Sequence, residues 1–404
     1  MSGPLQGIKV VEVATWAFVP AAGGILSDMG ASVIKVEPPT GDPLRGLRIG
    51  DSGTDSQGFV LSWENYNRGK RSITLDLRRT EGVEVLYKLL EDADVFLTNL
   101  LPPARRRMKI DMEDLRTRFP NIIYCVGSGL GQHGPEADKG GFDSITFWAR
   151  GGIASQITPE DAPYPIVQPS AAFGDCASAA MLAGGIAAAI AQRAMTGHAS
   201  VVDVSLLASS MWLMQRSVTQ ATLDGVGRLP KPKRHQVSNP LVNVYQTSDG
   251  RFVSLCMLQG QRYWPGFCEA AGRPDLIKDP LFETDAARKT NIAACTAQLD
   301  AIFRGRTLHQ WREILAQQDG QWDVVQHVGE LKDDRQVKAN GFLQPVDYGD
   351  GRTLMMVSVP MQFDGGPLPA RPAPELGADS ESILQELGYD WGRIGALKDA
   401  GIVF

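Results

Sequence analysis

The sequence predicts an α/β fold with a largely parallel sheet, and three observations carry that reading. Short runs of β-branched residues recur along the first half of the chain. Stretches with helical spacing alternate with them. Turn-rich segments of glycine and proline punctuate the alternation. At about 100–200 residues per domain, a chain of 404 residues suggests two domains, or one large domain with a lobe.

The elements follow in order. Residues 8–14, IKVVEVA, read as a buried strand, and PAAGGILSDMGA after them has helical spacing. SVIKVE at 32–37 reads as a second strand, followed by a glycine- and proline-rich loop that runs to about residue 58. RSITLDL at 71–77, DVFLTN at 94–99 and NIIYCVGSG at 121–129 are the third, fourth and fifth strands, with an amphipathic helix at 81–93 between the first two of these. VVDVSLLASSMWLMQ at 201–215 starts as a strand and turns helical. Residues 225–240 read as a linker, and 243–257 as a hairpin turning at Ser248-Asp249-Gly250. Helical stretches continue to about residue 340. The tail carries short strands, a proline-rich stretch at 367–374 and a closing helix near 380–389. We therefore expect a large domain from residues 1–227 and 341–404, and a small α+β domain at 228–340.

Composition narrows the function. A formal net charge of −6 gives no basic footprint for bulk nucleic-acid binding. The five cysteines are scattered without a CxxC pair, which predicts free thiols in a reducing compartment and no zinc site. The start of the chain, MSGPLQGIKVVEV, has neither the charged region nor the apolar core of a signal peptide. The apolar stretch 177–191 is mostly alanine and glycine, shorter than a membrane span, and reads as a tightly packed internal helix. These signs point to a cytoplasmic protein.

Several motifs carry chemistry. Gly127, Gly129 and Gly131 follow a strand, but His133-Gly134-Pro135 opposes the helix that a dinucleotide loop needs. A tight turn where a ligand approaches the backbone fits better. Three basic groups, Arg45, Arg68 to Arg71 and Arg105 to Lys109, sit in loops between strands. Such loops either clamp a polyanion through arginine forks or are solvated surface. In SAAFGDCASAAMLAGG, residues 170–185, Asp175 lies between Gly174 and good helix material. A helix cap is the plain reading. A nucleophile held near the positive end of the helix is compatible with it, and Gly174 leaves room for a substrate.

Taken in order, GIKVVEVA, LSDMGASVIKVEPPTGDPLR, NRGKRSITLDL, ADVFLTNLLP, GSGLGQHGP, GGFDSITFWARGG, FGDCASA and ELGADSESILQELGY span nearly the whole chain. In that order and spacing the chain resembles the class III CoA-transferases, the family of formyl-CoA transferase, carnitine CoA-transferase and α-methylacyl-CoA racemase. The resemblance implies a Rossmann-like large domain, an interlocked homodimer and a coenzyme A thioester as substrate, with no permanently bound cofactor. It places Arg45, Lys70, Asn99, Arg107 and Met108 along the CoA site. Where relatives carry an ENFRPG-like motif this chain reads TNLLPP, keeping Asn99 but not the acidic and arginine positions. The resemblance makes Asp175 the nucleophile that carries CoA between two acids. Gly129 and Gly131, in the glycine-rich turn, are candidate backbone donors for the oxyanions of that reaction. Racemase relatives have a histidine before the aspartate where this chain has Gly141-Phe142-Asp143, and Gln259 stands at a second, acidic racemase position. Both differences favour transfer over racemisation. An isomerase, or a CoA-binding protein in which Asp175 only caps a helix, are the alternatives. The basic cluster Lys231, Lys233, Arg234 and His235 reads as a solvated linker.

Overall fold

The computed structural model describes residues 3–47 and 58–404, so the end of the loop expected up to residue 58 lies outside the described residues. Contacts divide the chain into two units, Met1–Leu229 with Arg335–Phe404, and Pro230–Asp334.

The first unit is built on β1 (Lys9–Val13), β2 (Ser32–Glu37), β3 (Arg71–Thr74), β4 (Val95–Thr98), β5 (Ile123–Ser128) and β6 (Val201–Ser205). All neighbours are parallel, in the order β3–β2–β1–β4–β5–β6. The connecting helices are α1 (Phe18–Asp28), α2 (Leu61–Asn67), α3 (Thr80–Leu90), α4 (Pro102–Met108), α5 (Met112–Arg118), α6 (Ile153–Ile157) and α7 (Phe173–Thr196), and α8 (Leu206–Leu213) follows β6. This is the doubly wound α/β arrangement, in which strands are buried on both faces and so read as continuous apolar runs. Successive side chains go to opposite cores. Val10, Val95, Leu97, Ile123 and Cys125 pack with α1 and α7. Val11, Phe96, Tyr124 and Val126 pack with Leu86 and Leu89 of α3 and with Ile383 and Leu397 of the tail.

Helix α7 is long and apolar enough to cross a membrane. Instead it lays a stripe of Ala179, Leu182, Ala183 and Ile186 into the α1 core. The expected internal packing is true of that stripe alone, because Gly184 and Ala188 are exposed.

The tail covers the open edge of the sheet. β3 has a strand on one side only, and such an edge invites wrong pairing unless it is covered. Ser72 N–H donates to Asp379 Oδ2 (2.9 Å), and Asp379 N–H to the Ser72 carbonyl (3.0 Å). The Thr74 hydroxyl donates to the Phe404 carbonyl at 2.9 Å.

The second unit holds a three-stranded antiparallel sheet of β7 (Val242–Gln246), β8 (Phe252–Cys256) and β9 (Trp322–Val324). The β7–β8 hairpin turns at Gly250, whose φ of 77° suits a residue without a side chain. Helices Gly260–Ala270, Ile292–Arg304 and Leu308–Leu315 bury Trp264, Phe267, Phe303 and Trp311 against Tyr245 of the sheet. Arg234 pairs with Asp300 at 2.5 Å and lies 4.8 Å from the Tyr245 ring centre, so it closes this unit's own surface.

Candidate active site

In a doubly wound sheet, ligands settle beyond the carboxyl ends of the strands where the connections diverge to opposite sides. Here that point lies between β1 and β4. A cavity of about 460 Å³ opens there, lined by residues 15–18 after β1, residues 99–102 after β4, Gly127 and Gly129 at the end of β5, and Asp175.

Asp175 is the third residue of α7, and not its cap. The capping position is Ala172, in the left-handed region at φ 56°, and it makes no side-chain cap bond. A carboxylate from elsewhere serves this helix end: Asp143 Oδ2 accepts from Gly174 N–H (3.3 Å) and from Gln168 Nε2 (3.2 Å), while Oδ1 accepts from Ser144 N–H (2.7 Å). Asp143 leads into a wide helical turn, Ser144–Arg150, with π-type geometry. Gly174 is sterically required, since a Cβ there would lie 2.4 Å from the Phe147 ring of that turn. Asp175 itself is half-buried, and among the described residues no cation pairs with it. Burial, then the charge of Asp143, raise its carboxyl from 3.8 to about 7. The sequence alone suggests an aspartate held ionised by the helix end; the structure gives one that titrates near neutrality.

The cavity wall mixes polar and apolar side chains. Asn99 brackets the peptide of Thr15, accepting from its N–H (3.0 Å) and donating to its carbonyl (2.7 Å). The next residue, Trp16, stands at φ 67° with its N–H on Asp42 Oδ1 (3.1 Å). That strained turn places the indole edge-on against Phe142, with ring centres 5.4 Å apart. Phe142 and Ile145 are 54% and 57% exposed, which makes an apolar lip. Lys139, paired with Glu136 at 2.9 Å, and the buried Arg105 complete the wall. Arg105 is held by Asp111 (3.1 Å) and Gln132 (2.8 Å). Gly129 and Gly141 approach so closely that a Cβ on Gly129 would sit 3.0 Å from the Gly141 Cα.

The structure thus brings Asp175, Asn99 and Gly129 together. Met108 lines a second cavity of about 250 Å³, beyond β1 to β3, which shares Thr15 and Leu100 with the first. The remaining assignments line neither cavity. The Lys70 ammonium is fully buried, bound to Glu12 Oε2 (2.8 Å), Asn67 Oδ1 (2.9 Å) and the Pro20 carbonyl (2.8 Å). Its donors are taken up inside the scaffold, and burial pushes it down to about 8. Arg45 forks onto Glu37 (2.8 and 2.7 Å) and stacks 3.5 Å from the Trp63 ring centre. Arg107 is exposed, and the Gly131 N–H donates to Ser128 Oγ at 3.1 Å. Sequence reasoning missed Trp16, Lys139 and Asp143. Only Asp143 had a signal, as the aspartate of the GFD triplet. Among the described residues, no group of three His, Cys, Asp or Glu is placed to hold a metal ion.

The sequence profile of CoA-transferase family III matches residues 5–380. The chain belongs to that family. It is 32% identical over 402 residues to (R)-2-hydroxy-4-methylpentanoate CoA-transferase of Clostridioides difficile, with 99% of each chain covered. To cinnamoyl-CoA:phenyllactate CoA-transferase of Clostridium sporogenes it is 30% identical over 401 residues, covering 98% of this chain and 97% of that one. A crystal structure of a CAIB/BAIF family protein from Brucella suis superposes with a TM-score of 0.81 at 28% identity, over 96% of this chain and 100% of that one. The protein is therefore a family III CoA-transferase, an enzyme of acyl-CoA metabolism with the α/β fold and parallel sheet that the sequence predicts.

Proposed function

We propose that the enzyme moves CoA from an acyl-CoA to a carboxylic acid through covalent intermediates on Asp175. The observation that carries this is a half-buried carboxylate, without a cation among the described residues, facing a cavity at the end of the sheet. Asp175 attacks the thioester carbonyl, and the C–S bond breaks to give a mixed anhydride and CoA thiolate. The thiolate attacks the Asp175 carbonyl, which releases the first acid as its carboxylate and leaves an aspartyl-CoA thioester. The incoming carboxylate attacks that thioester and expels the thiolate again. The thiolate then attacks the acyl carbonyl of the new anhydride and returns Asp175 as a carboxylate. No proton or electron is gained or lost overall, and thioester energy is conserved. The backbone at Gly127, Gly129, Gly140 and Gly141 lines the cavity where the oxyanions form. The second cavity, at Met108, shares Thr15 and Leu100 with the first and offers room for the nucleotide end of CoA.

The acid is a small one with an apolar side chain. Trp16, Phe142 and Ile145 offer it an apolar wall, and the two relatives above are named for 4-methylpentanoate and phenyllactate derivatives. Phe142 cannot shuttle a proton, which argues against racemisation. A second copy covering Met211, Trp212 and Leu213, which are 47%, 62% and 53% exposed, fits the dimer that the family resemblance implies.

The test is trapping. The protein is mixed with an acyl-CoA and hydroxylamine, and its peptides are weighed by mass spectrometry. A hydroxamate on the peptide holding Asp175 is expected. Formation of the acceptor's CoA thioester with no adduct on that peptide overturns the covalent route. Uptake of deuterium at the α-carbon from heavy water would mark an isomerase instead.

A further inference from the structure

Asp143 is buried to 7% exposure beside a cavity that the mechanism leaves it out of. We propose that Asp143 is a positioning residue: its carboxylate fastens the start of α7 and confronts the nucleophile with a like charge. This rests on Asp175 being the nucleophile.

The first N–H groups of a helix lack intrahelical partners and attract an anion. A carboxylate in that first turn is ordinarily held ionised by them. In α7 the Gly174 N–H instead donates to Asp143, so the anion site is already filled when Asp175 begins its chemistry. Asp143 is fixed there by Ser144 N–H and Gln168 Nε2 from its other sides. The Phe147 ring packs under Gly174, which locks the wide turn carrying Asp143 to the helix carrying Asp175. The separation of the two carboxylates is therefore built into two rigid segments. Burial first, and the like charge of Asp143 added to it, make the nucleophile more basic than a free aspartate, at about 7. A more basic carboxylate attacks a thioester more readily.

Other ionisable groups around Asp175 do not explain this. Tyr66 of α2 is pushed up by burial and, with the Cys176 thiol to which it hydrogen-bonds, stays uncharged near neutrality. Lys139 and Arg105 in the cavity wall are paired with Glu136 and Asp111.

The experiment compares Asp143→Asn with the parent enzyme. The new amide has the shape of the carboxylate. Its NH2 group meets a backbone donor in either orientation, Gly174 N–H or Ser144 N–H, so one of the present hydrogen bonds is lost, and the unpartnered Gln168 Oε1 can accept from it only where the nitrogen takes the Oδ2 place. The fold is expected to hold at some loss of stability, which thermal unfolding and CoA binding will check. In kcat/KM against pH, the parent's acid limb is expected near 7, and in the variant it should move down by about one unit. At high pH kcat should fall roughly tenfold, with KM for the acyl-CoA changed by less than about threefold. Asp143→Glu should restore the limb. An unmoved limb, with activity lost evenly at every pH, overturns the proposal and leaves Asp143 a structural residue. Should Asp143→Asn fail to fold, Gln168→Met decides, with a smaller shift in the same direction expected and no shift refuting. Hydroxylamine trapping on the parent separates the two readings. A labelled Asp175 with an unmoved limb sinks only the role of Asp143, whereas an unlabelled Asp175 sinks the nucleophile itself.

Discussion

Two clusters of carboxylates lie within the same unit and have opposite characters. In one, Glu12 and Asp42 meet Lys35 and Lys70 with both lysine side chains fully buried, at 2.8 to 3.0 Å. Burial works against the Lys35 ammonium, yet Glu12, Asp42 and Glu37 outweigh it and hold it above its ordinary value. In the other, Asp143 holds the start of the helix that carries Asp175, no cation pairs with either among the described residues, and the proposed nucleophile is raised to about 7. The first cluster is compensated and therefore inert: its charges tie β1, β2 and the segment after α2 together. The second is left uncompensated, and its charge is available to a substrate. The two are joined through Asp42, which both pairs with Lys35 and accepts from the Trp16 N–H at the cavity. The lesson is that a buried carboxylate becomes a reagent when its countercharge is withheld.

The largest effect that sharpens this contrast comes from Asp175→Asn. Turnover should fall by at least about 10⁴-fold, while the protein gains stability. The raised carboxyl of Asp175 costs folding free energy when it is ionised. Between about 4 and 7 the unfolded chain has lost this proton and the folded chain keeps it, so stability falls as pH rises through that window. The amide removes the cost, and urea unfolding at pH 8 should show a gain on the order of 2–4 kcal/mol that vanishes near pH 4. A variant less stable than the parent at pH 8 would break the comparison at its functional end.

Lys70→Met tests the other end. It strands Glu12 in the core without one of its two lysines, and should cost about 3–5 kcal/mol in urea unfolding. Activity should fall only as far as the folded fraction does. If instead the variant keeps its stability but loses affinity for CoA, then Lys70 belongs to the site after all.

The sequence made the scaffold readable because strand signals are local. The apolar runs at β1, β2, β4 and β5 announce themselves through side chains a few residues apart. Asp175 was readable for the same reason, as an acid between a glycine and helix-forming residues. The resemblance assigns Lys70 to the CoA site and nothing local singles out Lys139, since both are basic residues in loops. What distinguishes them is distance in space: Lys70 is drawn inward by Glu12, 58 residues away, whereas Lys139 pairs with Glu136 at the surface. The turn that aims Trp16 depends on a positive φ and on Asp42, neither of which has a local pattern. The role proposed for Asp143 depends on Gly174, 31 residues further on.

The smallest expected effect concerns the apolar lip. Phe142→Ala removes the ring that meets Trp16, and should lower kcat/KM for an acid with a branched or aromatic side chain by roughly 10-fold relative to acetate. Equal losses for both acids, in competition assays, would show that Phe142 supports the turn and does not choose the substrate.

The tail's place on the sheet edge also has a consequence for how the protein is made. The Thr74 hydroxyl waits for a carbonyl 330 positions later. At ribosomal speeds of about 5–20 residues per second, that is a delay of roughly 15–65 s. During it all six strands can have emerged while one margin of the sheet stays bare. A nascent chain halted after residue 334 should therefore be sticky, and the final seventy residues act as the stitch that finishes the hem.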